Sequence, residues 1–369
     1  MYLKFVIVLI CFMASLFLKE TERQQPNKGR RILTTIACIL LIVQSGFRHI
    51  AVGPDTYQYF NGYFDPIRSM TWDEVFRNFI DVYQFGEGKD AGFTLFVKFF
   101  QVFSDDFQVF LIFVAIVFFV PFCRFIYQNT SKLDDVVLAI IVYEALFYSF
   151  FSITGIRQTL ATTFCLLSIN FIKNRNLFKF LLLMLCAFVC HRSSMVFIPF
   201  YWIGNVKNYK GLLYFTLVSF PFLMVMGNRF TLQLAALSGS ESYMQYAELT
   251  TTGAYTFLAF YFAIALSSYY FTSKQEQAKF GFAFNAIAMG IIFSPLTFNS
   301  AALMRIVQYF SIFLVVLFPY VYNNSQLARK AVVKYIRIAF ICIFLYKIAV
   351  TPGDYAWFWE YVPAGVIIG

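Results

Sequence analysis

The chain has 369 residues, of which 60% are hydrophobic and only 13% charged, and its mean hydropathy is +0.68. A soluble domain carries roughly 25% charged residues, so a soluble fold could not cover this much apolar content with a polar surface. The formal net charge of +10 comes from basic clusters between apolar runs, which membrane orientation explains better than nucleic-acid binding. Composition therefore predicts an α-helical bundle that crosses a membrane many times.

The first apolar run, 2–18, has the length of a signal peptide, but the segment after it favours a retained membrane span. Residues 19–31 contain five Lys and Arg, which favour the cytoplasmic side, and no convincing small-residue cleavage site precedes them. We therefore predict that the N-terminus lies outside the membrane and that 19–31 lies inside.

Apolar runs and basic loops alternate along the rest of the chain. Most of the 29 Lys and Arg fall in predicted inner loops, and Asp and Glu show the opposite bias, as the positive-inside rule requires. Several runs are shorter than the roughly 20 residues that a bilayer needs, so their helices should extend into flanking residues. The pattern predicts an all-α polytopic membrane protein, a single integral membrane domain over 1–369 with about twelve transmembrane helices and both termini outside. The predicted spans are 2–18, 32–45, 107–122, 136–153, 157–172, 178–190, 193–203, 212–227, 253–272, 280–298, 306–322 and 336–350.

The longest connection, 47–106, is predicted to be an extracytoplasmic loop. Within it Thr71 and Glu74 have the spacing of a capping box, and apolar residues follow at intervals of three and four. We therefore predict an amphipathic helix on the outer membrane surface. The apolar stretch 91–103 is too short to span comfortably and should be re-entrant or interfacial, and 228–252 should form a second extracytoplasmic loop.

Ionisable residues at the outer ends of several spans require a separate explanation. A charge close to hydrocarbon costs ~2.5–3.5 kcal/mol, so such groups usually face a bundle interior or an aqueous cavity. Arginines that reach one membrane level from separate segments predict an anion site, because a guanidinium binds phosphate oxygens bidentately and stays charged. For a single arginine, a snorkelling interfacial side chain is the competing interpretation. These outward residues are Arg48, His49, Asp55, Arg157, His191, Arg192 and Arg305.

Three of the polar residues have two interpretations each. Arg48 either binds the anion or makes a structural ion pair with Asp55. Glu144 lies roughly 12 Å inside a predicted span at 1.5 Å per residue, where we favour pairing with an arginine over a direct catalytic role. His191 is either structural or a general base, since a neutral imidazole accepts a proton from a hydroxyl near pH 7.

Four segments at this outer level have the order and spacing of the motifs of one known family. Residues 47–59 (FRHIAVGPDTYQY) are similar to an Arg…Gly-x-Asp-Tyr…Tyr segment, and 155–161 (GIRQTLA) to an Ile-Arg-Gln-x-Leu-Ala helix start. Residues 191–199 (HRSSMVFIP) are similar to a His-x-Ser…Pro element, and 305–310 (RIVQYF) to a late Arg…Tyr-Phe. Over about 2–350 the chain resembles the EpsG family of exopolysaccharide and capsule clusters, which is related to the Wzy polymerases.

The resemblance implies glycosyl transfer that does not use a nucleotide sugar. A growing glycan on undecaprenyl diphosphate would move onto the terminal hydroxyl of an incoming lipid-linked repeat unit. This would occur at the outer face of the bacterial inner membrane during exopolysaccharide, capsule or O-antigen synthesis. The expected partners are undecaprenyl-diphosphate-linked glycans, membrane lipids, and the chain-length regulator and flippase of the pathway, with no nucleic acid. No cofactor is expected, and no metal-ligand cluster is visible in the sequence.

The resemblance also implies roles for the matching residues. His191 or Asp55 would activate the acceptor hydroxyl, and the diphosphate would be bound by Arg157, Arg305 and Arg48. The expected supporting residues are Glu144, Gln158, Tyr57, Ser193 and Tyr309.

Two positions depart from the family pattern. Pro54-Asp55-Thr56 replaces the usual Thr-Asp-Tyr, so the aromatic partner of Asp55 is expected to shift to Tyr57. Asp90 precedes Ala-Gly-Phe where the family often has Glu-x-Gly-aromatic, and we assign it no role.

Other classes of protein explain the outward groups less well. A lipid-linked oligosaccharide flippase, the leading alternative, needs polar groups along a path to both membrane faces, whereas these gather at one. A membrane acyltransferase usually needs a buried histidine that receives an acyl chain from the cytoplasm, and both histidines are predicted outside. A structural subunit would leave the arginines unexplained. The sequence therefore predicts a polymerase.

Overall fold

The computed structural model describes residues 2–85, 90–237, 255–298, 303–350, 355–363 and 366–368. These residues are almost entirely helical, which confirms the all-α prediction. Within them no strand forms, and the β-type pairing is limited to two isolated bridges, Arg48 with Trp357 and Val52 with Ile368.

The helix bounds follow the predicted apolar runs, with several runs divided into shorter pieces. The helices of the first half are α1 (Leu3–Phe17), α2 (Lys19–Gln24), α3 (Lys28–Gly46), α4 (Pro54–Tyr59), α5 (Asp65–Ser69), α6 (Trp72–Gln84), α7 (Ala91–Gln101), α8 (Phe107–Asn129), α9 (Leu133–Leu146) and α10 (Ile156–Lys173). Those of the second half are α11 (Leu177–Cys190), α12 (Phe200–Ile203), α13 (Tyr209–Leu237), α14 (Tyr255–Tyr270), α15 (Lys274–Lys279), α16 (Gly281–Phe293), α17 (Met304–Ser311), α18 (Leu314–Pro319) and α19 (Ala331–Val350). Short π or 3₁₀ segments are Phe60–Phe64, Ser149–Ile153, Arg192–Phe197, Ser294–Phe298, Tyr320–Asn324 and Gln326–Arg329.

Length and composition identify the helical stretches that suit a membrane span. Among the described residues, five are long and apolar enough: Lys28–Gly46, Phe107–Asn129, Tyr209–Met226, Gly281–Phe298 and Met304–Asn324. Two shorter apolar helices are Leu3–Phe17 and Leu177–Cys190. The total of twelve spans, and the placement of both termini outside, stay predictions.

Two segments differ in structure from what the sequence predicts. The predicted span 193–203 is broken into the 3₁₀ segment Arg192–Phe197 and the four-residue α12. Pro199, which lacks an amide donor, stands between them. The predicted loop 228–252 begins as helix, because α13 continues to Leu237, and its remainder lies outside the described residues.

The capping box predicted in the long loop is present. The Glu74 amide donates to Thr71 Oγ1 at 3.3 Å, and the Thr71 amide donates to the Glu74 carboxylate at 2.6 Å. This reciprocal pair satisfies amides that a helix start would leave unbonded. The helix that follows, α6, buries Val75 and Val82 and exposes Trp72. The amphipathic helix is therefore observed, and its position on the membrane surface stays a prediction.

Side-chain contacts show how the longest N-terminal helices are oriented. The Arg30 guanidinium, at the start of α3, lies 4.7 Å from the Tyr127 ring, at the end of α8. Gln44 at the end of α3 donates to Glu144 at the end of α9 at 3.2 Å. Thus α3 and α9 run in one direction and α8 in the other. We call the end at which α3 and α9 terminate the outer end, following the predicted orientation.

Aromatic packing fixes the start of α7. The Phe93 ring is fully buried, and its centroid lies 5.4 Å from that of Tyr59 and 5.5 Å from that of Tyr63. Phe93 also packs against Phe110 of α8, with centroids 6.3 Å apart. These edge-to-face contacts between large buried rings hold residue 90, immediately before α7, at a fixed position.

Candidate functional site

Asp90 lies at the centre of a buried polar cluster that joins three helices. Its Oδ2 is 2.8 Å from Nδ1 of His191, which follows α11, and 3.2 Å from Nη1 of Arg157, in the first turn of α10. Its Oδ1 accepts a hydrogen bond from the Arg192 amide at 3.0 Å. Asp90 itself precedes α7 and is only 2% exposed. One carboxylate therefore links residues that are up to 102 positions apart in the chain.

The close approach of α7 to α11 depends on Gly92. A Cβ at this position would overlap the side chain and the carbonyl group of Val189. Because glycine has no Cβ, the backbone of α7 reaches the end of α11, and the Asp90 carboxylate reaches the imidazole. Asp90 has a φ of +46°, a left-handed conformation that Asp adopts more readily than most residues.

Arg157 is held by aromatic and acidic groups. Its guanidinium lies 5.0 Å from the centroid of the Tyr63 ring and 5.7 Å from that of Tyr59. Nε also donates to the Tyr59 hydroxyl at 3.4 Å. Nη1 is buried and makes no hydrogen bond to the described residues, although it lies within ion-pair distance of Asp90. Arg157 is thus a fixed cation with a donor group that is not yet satisfied.

The protonation states of the central pair follow from their surroundings. Burial opposes ionisation of Asp90, but His191 and Arg157 outweigh it and lower the pKa of Asp90 to about 2. Burial also lowers the pKa of His191 below its usual 6.5, and the nearby charges of Arg157 and Arg305 lower it further, against the opposing effect of Asp90. At neutral pH the carboxylate is therefore charged and the imidazole neutral. Nδ1–H then donates to Asp90, and Nε2 keeps a free lone pair.

Arg305 reaches the same end of the bundle from α17. The Gln158 side chain of α10 donates to the Arg305 carbonyl at 2.6 Å. One turn later, the Tyr309 and Ser193 hydroxyl groups are 3.2 Å apart, which ties α17 to the segment after His191. Within the described residues, the Arg305 guanidinium makes no side-chain hydrogen bond and no ion pair. Its charge is therefore available to an anion.

Asp55 and Arg48 lie beside this cluster and are not part of it. Asp55 Oδ2 accepts from the Gly155 amide at 3.3 Å, immediately before α10, and so helps to position the helix start that carries Arg157. Arg48 is only 3% exposed, and it donates to Thr56 Oγ1 at 3.3 Å and to Ser45. The two side chains form no ion pair, so that interpretation of Arg48 is wrong.

Two other predicted site residues have unexpected surroundings. Glu144 is buried beside Gln44, whose amide donates to it at 3.2 Å. No arginine in the described residues pairs with it, so the predicted Glu144–Arg pair is wrong. Tyr57 is 44% exposed, whereas Tyr59, two residues later, faces the cluster. Residues two positions apart in a helix do not share a face, so α4 directs the Tyr57 and Tyr59 side chains to different sides.

The sequence predicts no role for Asp90, although Asp90 is the residue that connects His191, Arg157 and Arg192. The available signal was Gly92 in the Asp-Ala-Gly-Phe segment, since glycine permits a close backbone approach. Arg192 was noted only as an outward charge. Its guanidinium donates to the Val82 carbonyl at 2.7 Å and lies over the Tyr83 ring, so it anchors α6 to the site.

The arrangement has the parts of an acid–base site for an anionic substrate. A neutral imidazole oriented by a carboxylate has the chemistry of a general base, and guanidinium groups near it have the charge needed to bind an anion. In the described part of the chain, no group of three or more His, Cys, Asp or Glu residues has the geometry of a metal site.

Comparison with known proteins identifies the chain at the level of family. No curated protein and no solved structure gives a significant match. The sequence model described as "EpsG family" matches residues 31–362, which is most of the 369-residue chain. The matched region includes every residue of the Asp90 cluster. The chain therefore belongs to the EpsG family, and it is a multi-pass membrane protein with a polymerase-type function associated with exopolysaccharide.

Proposed function

We propose that this protein joins lipid-linked oligosaccharide repeat units, and that the Asp90 cluster is its catalytic centre. The donor is a growing glycan on undecaprenyl diphosphate, and the acceptor is the terminal hydroxyl of an incoming unit on the same type of carrier. The reaction needs no nucleotide sugar, because the bond between the glycan and the diphosphate supplies the leaving group. This is the chemistry of the Wzy-type polymerases of exopolysaccharide, capsule and O-antigen synthesis.

His191 activates the acceptor. Its Nε2 accepts the proton as the acceptor hydroxyl oxygen forms a bond to the anomeric carbon of the donor sugar. Asp90 holds Nδ1–H at 2.8 Å, fixes the orientation of the ring, and stabilises the imidazolium that forms. Asp90 is thus a positioning residue, and in this proposal His191, not Asp55, activates the acceptor hydroxyl.

Arginines stabilise the leaving group. As the bond from the anomeric carbon to the diphosphate oxygen breaks, the electron pair and the growing negative charge go to the diphosphate. Arg305 has no carboxylate partner among the described residues, and Arg157 has a buried Nη1 without a hydrogen bond. Both are therefore suited to bind the departing oxygens. Arg48, whose donors bond to Thr56 and Ser45, supports the segment before Asp55 and does not bind the substrate.

The membrane supplies the substrates. A polyprenyl diphosphate has its tail in hydrocarbon and its head at the interface, so a polar site at the outer end of the bundle meets the head group there. The proposed location is the outer face of the bacterial inner membrane, with about twelve spans and both termini outside. Tails would reach the site laterally between helices, and the flippase and chain-length regulator of the pathway would act before and after this enzyme.

The observation that carries the proposal is the joint contact of Asp90 with His191 and Arg157. It brings a histidine and an arginine to one carboxylate at one end of the bundle, which supports a base and a cation acting together. A flippase would need polar groups along a path to both faces. The ionised pair of Asp90 and Arg157 at the outer end instead supports a reaction at one fixed position.

A deletion strain tests the proposal. Without the protein, lipid-linked single repeat units should accumulate at the outer face, where added glycosidase can reach them in spheroplasts. Complementation with the wild-type chain should restore polymer, and His191→Gln, which keeps a donor to Asp90 but cannot act as a base, should not. Accumulation of the units only at the cytoplasmic face would instead indicate a flippase.

A further inference from the structure

The C-terminal tail, residues 355–363, is bonded to the segment that follows α3. The His49 amide donates to the Ala356 carbonyl at 2.8 Å, and the Phe358 amide donates to the Phe47 carbonyl at 3.0 Å. This backbone pairing fixes the tail at the outer end of the bundle, since α3 terminates there.

The tail carries a preorganised row of aromatic rings. The Glu360 amide donates to the Trp357 carbonyl at 2.9 Å, and the Trp357 amide donates to the Glu360 carboxylate at 3.0 Å, so the turn 357–360 is closed from both sides. The Trp357 and Trp359 rings lie parallel, with centroids 5.0 Å apart and an interplanar angle of 4°. Tyr355 meets the other side of Trp357 edge-on, also at 5.0 Å.

Exposure increases along this row. Tyr355 is buried, and its hydroxyl donates to the Gln44 carbonyl at 2.9 Å, which anchors the inner end of the row. Trp357 is half-buried, and Trp359 is 61% exposed although Trp357 covers one of its faces. Because the pairing of the tail and the closed turn hold the two indoles in place, this row is a candidate binding surface.

We propose that Trp357 and Trp359 form a glycan subsite, in which a sugar ring of the growing chain lies flat on the open face of Trp359. The identification of the ligand as glycan rests on the function proposed above. A pyranose has one face lined with C–H groups and hydroxyls around its rim. An indole binds that face without removing the hydroxyls from water, and a fixed ring loses little conformational entropy on binding.

The surroundings favour a glycan over a lipid surface. Glu360, exposed in the same turn, would be costly in contact with hydrocarbon, whereas its carboxylate is a good acceptor for sugar hydroxyls. The row is also continuous with the catalytic cluster. Trp357 pairs with Arg48, Arg48 donates to Thr56, and the neighbouring Asp55 bonds the start of α10. The subsite therefore lies at the same end of the bundle as the reacting centre.

Tryptophan fluorescence tests the subsite. The chain has four tryptophans, so replacing Trp72 and Trp202 with Phe leaves the Trp357–Trp359 pair as the reporter. The probe is a set of oligosaccharides released by partial hydrolysis of the exopolysaccharide of the source strain, added to the protein in nanodiscs. We expect saturable binding that changes the emission of this pair. In the otherwise wild-type chain, Trp359→Ala should weaken this binding about tenfold, as judged by calorimetry.

Trp72→Ala is the matched control, because Trp72 is also exposed but lies on α6. It should leave oligosaccharide binding unchanged. Equal affinity of Trp359→Ala and the wild type would overturn the subsite, and so would strong quenching of the Trp357–Trp359 pair by brominated phospholipids, which would assign the row to the membrane interface.

The two proposals fail in different ways. Arg305→Ala should lower the rate of polymerisation about 10²–10³-fold and keep the binding of free oligosaccharides. If the wild type binds these through Trp359 but does not polymerise, the proposed function is wrong and the subsite stands. If the wild type polymerises and Trp359→Ala binds oligosaccharides normally, the subsite is wrong and the function stands.

Discussion

Replacing Asp90 with Asn tests the central element of the site. Asn has the same shape and keeps an oxygen for the Arg192 amide, but it removes the negative charge that faces His191 and Arg157. Two consequences follow for the histidine. Its Nδ1 loses a strong acceptor, and its ring is no longer fixed in the tautomer that leaves Nε2 free.

The structure sets the expected magnitude. Removal of one partner from a buried ion pair costs about 3–5 kcal/mol, so Asp90→Asn should unfold at a clearly lower temperature than the wild type. Loss of the orienting carboxylate behind a catalytic histidine lowers kcat by about 10²–10⁴-fold, which corresponds to about 2.7–5.4 kcal/mol in the activation barrier.

The pH profile separates this effect from general destabilisation. In the wild type, activity should fall on the acid side with an apparent pKa below 6.5, because burial lowers the pKa of His191. Asp90 acts in the opposite direction and raises that pKa, so the residual activity of Asp90→Asn should show an acid limb at still lower pH. A purely structural role for Asp90 would lower activity at every pH and leave the limb unchanged.

The assay is polymerisation of purified lipid-linked repeat units in proteoliposomes, followed by chain length on gels at several pH values. Asp105→Asn is the matched control, since Asp105 is exposed and pairs only with exposed Arg68. Asp90→Glu should recover part of the activity, because it keeps a carboxylate for His191 and Arg157. Wild-type kcat and pH profile in a folded Asp90→Asn would refute the role of Asp90.

Three further predictions concern the surroundings of the cluster. Arg305→Ala should lower kcat about 10²–10³-fold in the same assay, and Arg305→Lys should recover only part of it, because an ammonium lacks the planar donor pair; full activity of the Lys variant would exclude a bidentate contact. Gly92→Ala should separate α7 from Val189, cost about 1–3 kcal/mol in thermal unfolding and reduce activity as well, whereas an unchanged kcat would show that the close approach is not required. Asp55→Ala should lower stability by about 1 kcal/mol by removing the acceptor of the Gly155 amide, with a kcat loss well below that of His191→Gln; an equal loss would restore Asp55 as a catalytic candidate.

Much of the helical framework could be predicted from the sequence, since long apolar runs have few alternatives in a membrane. The runs 32–45 and 107–122 became α3 and α8, both longer than the runs themselves because flanking residues complete the turns. The division of 193–203 was harder to foresee. Hydropathy averages over a window and does not register where a 3₁₀ segment replaces the α-helix.

Part of the site could be predicted from the sequence. The rest could not, because it depends on contacts between residues that are far apart in the chain. Arg157, His191 and Arg305 could each be noticed because a cation at an outer helix end violates the orientation bias. Asp90, the partner that Arg157 and His191 share, could not be found in this way, because an acidic residue in an outer loop is what the same bias expects. Asp90 acquires its role only through contacts with residues 101 and 102 positions later in the chain. Pairing over such a separation requires the fold.

The charge balance of the cluster explains why arginines with the same sequence signal have different roles. The ionised Asp90 lies 3.2 Å from Arg157 and largely cancels its charge at the distance of a substrate, while His191 is neutral. Arg192 is directed toward the carbonyl of Val82. Arg305 has no carboxylate neighbour among the described residues, so in the proposed mechanism the departing diphosphate interacts most strongly with Arg305. Arg157 contributes less to binding the diphosphate, and together with His191 it keeps Asp90 ionised.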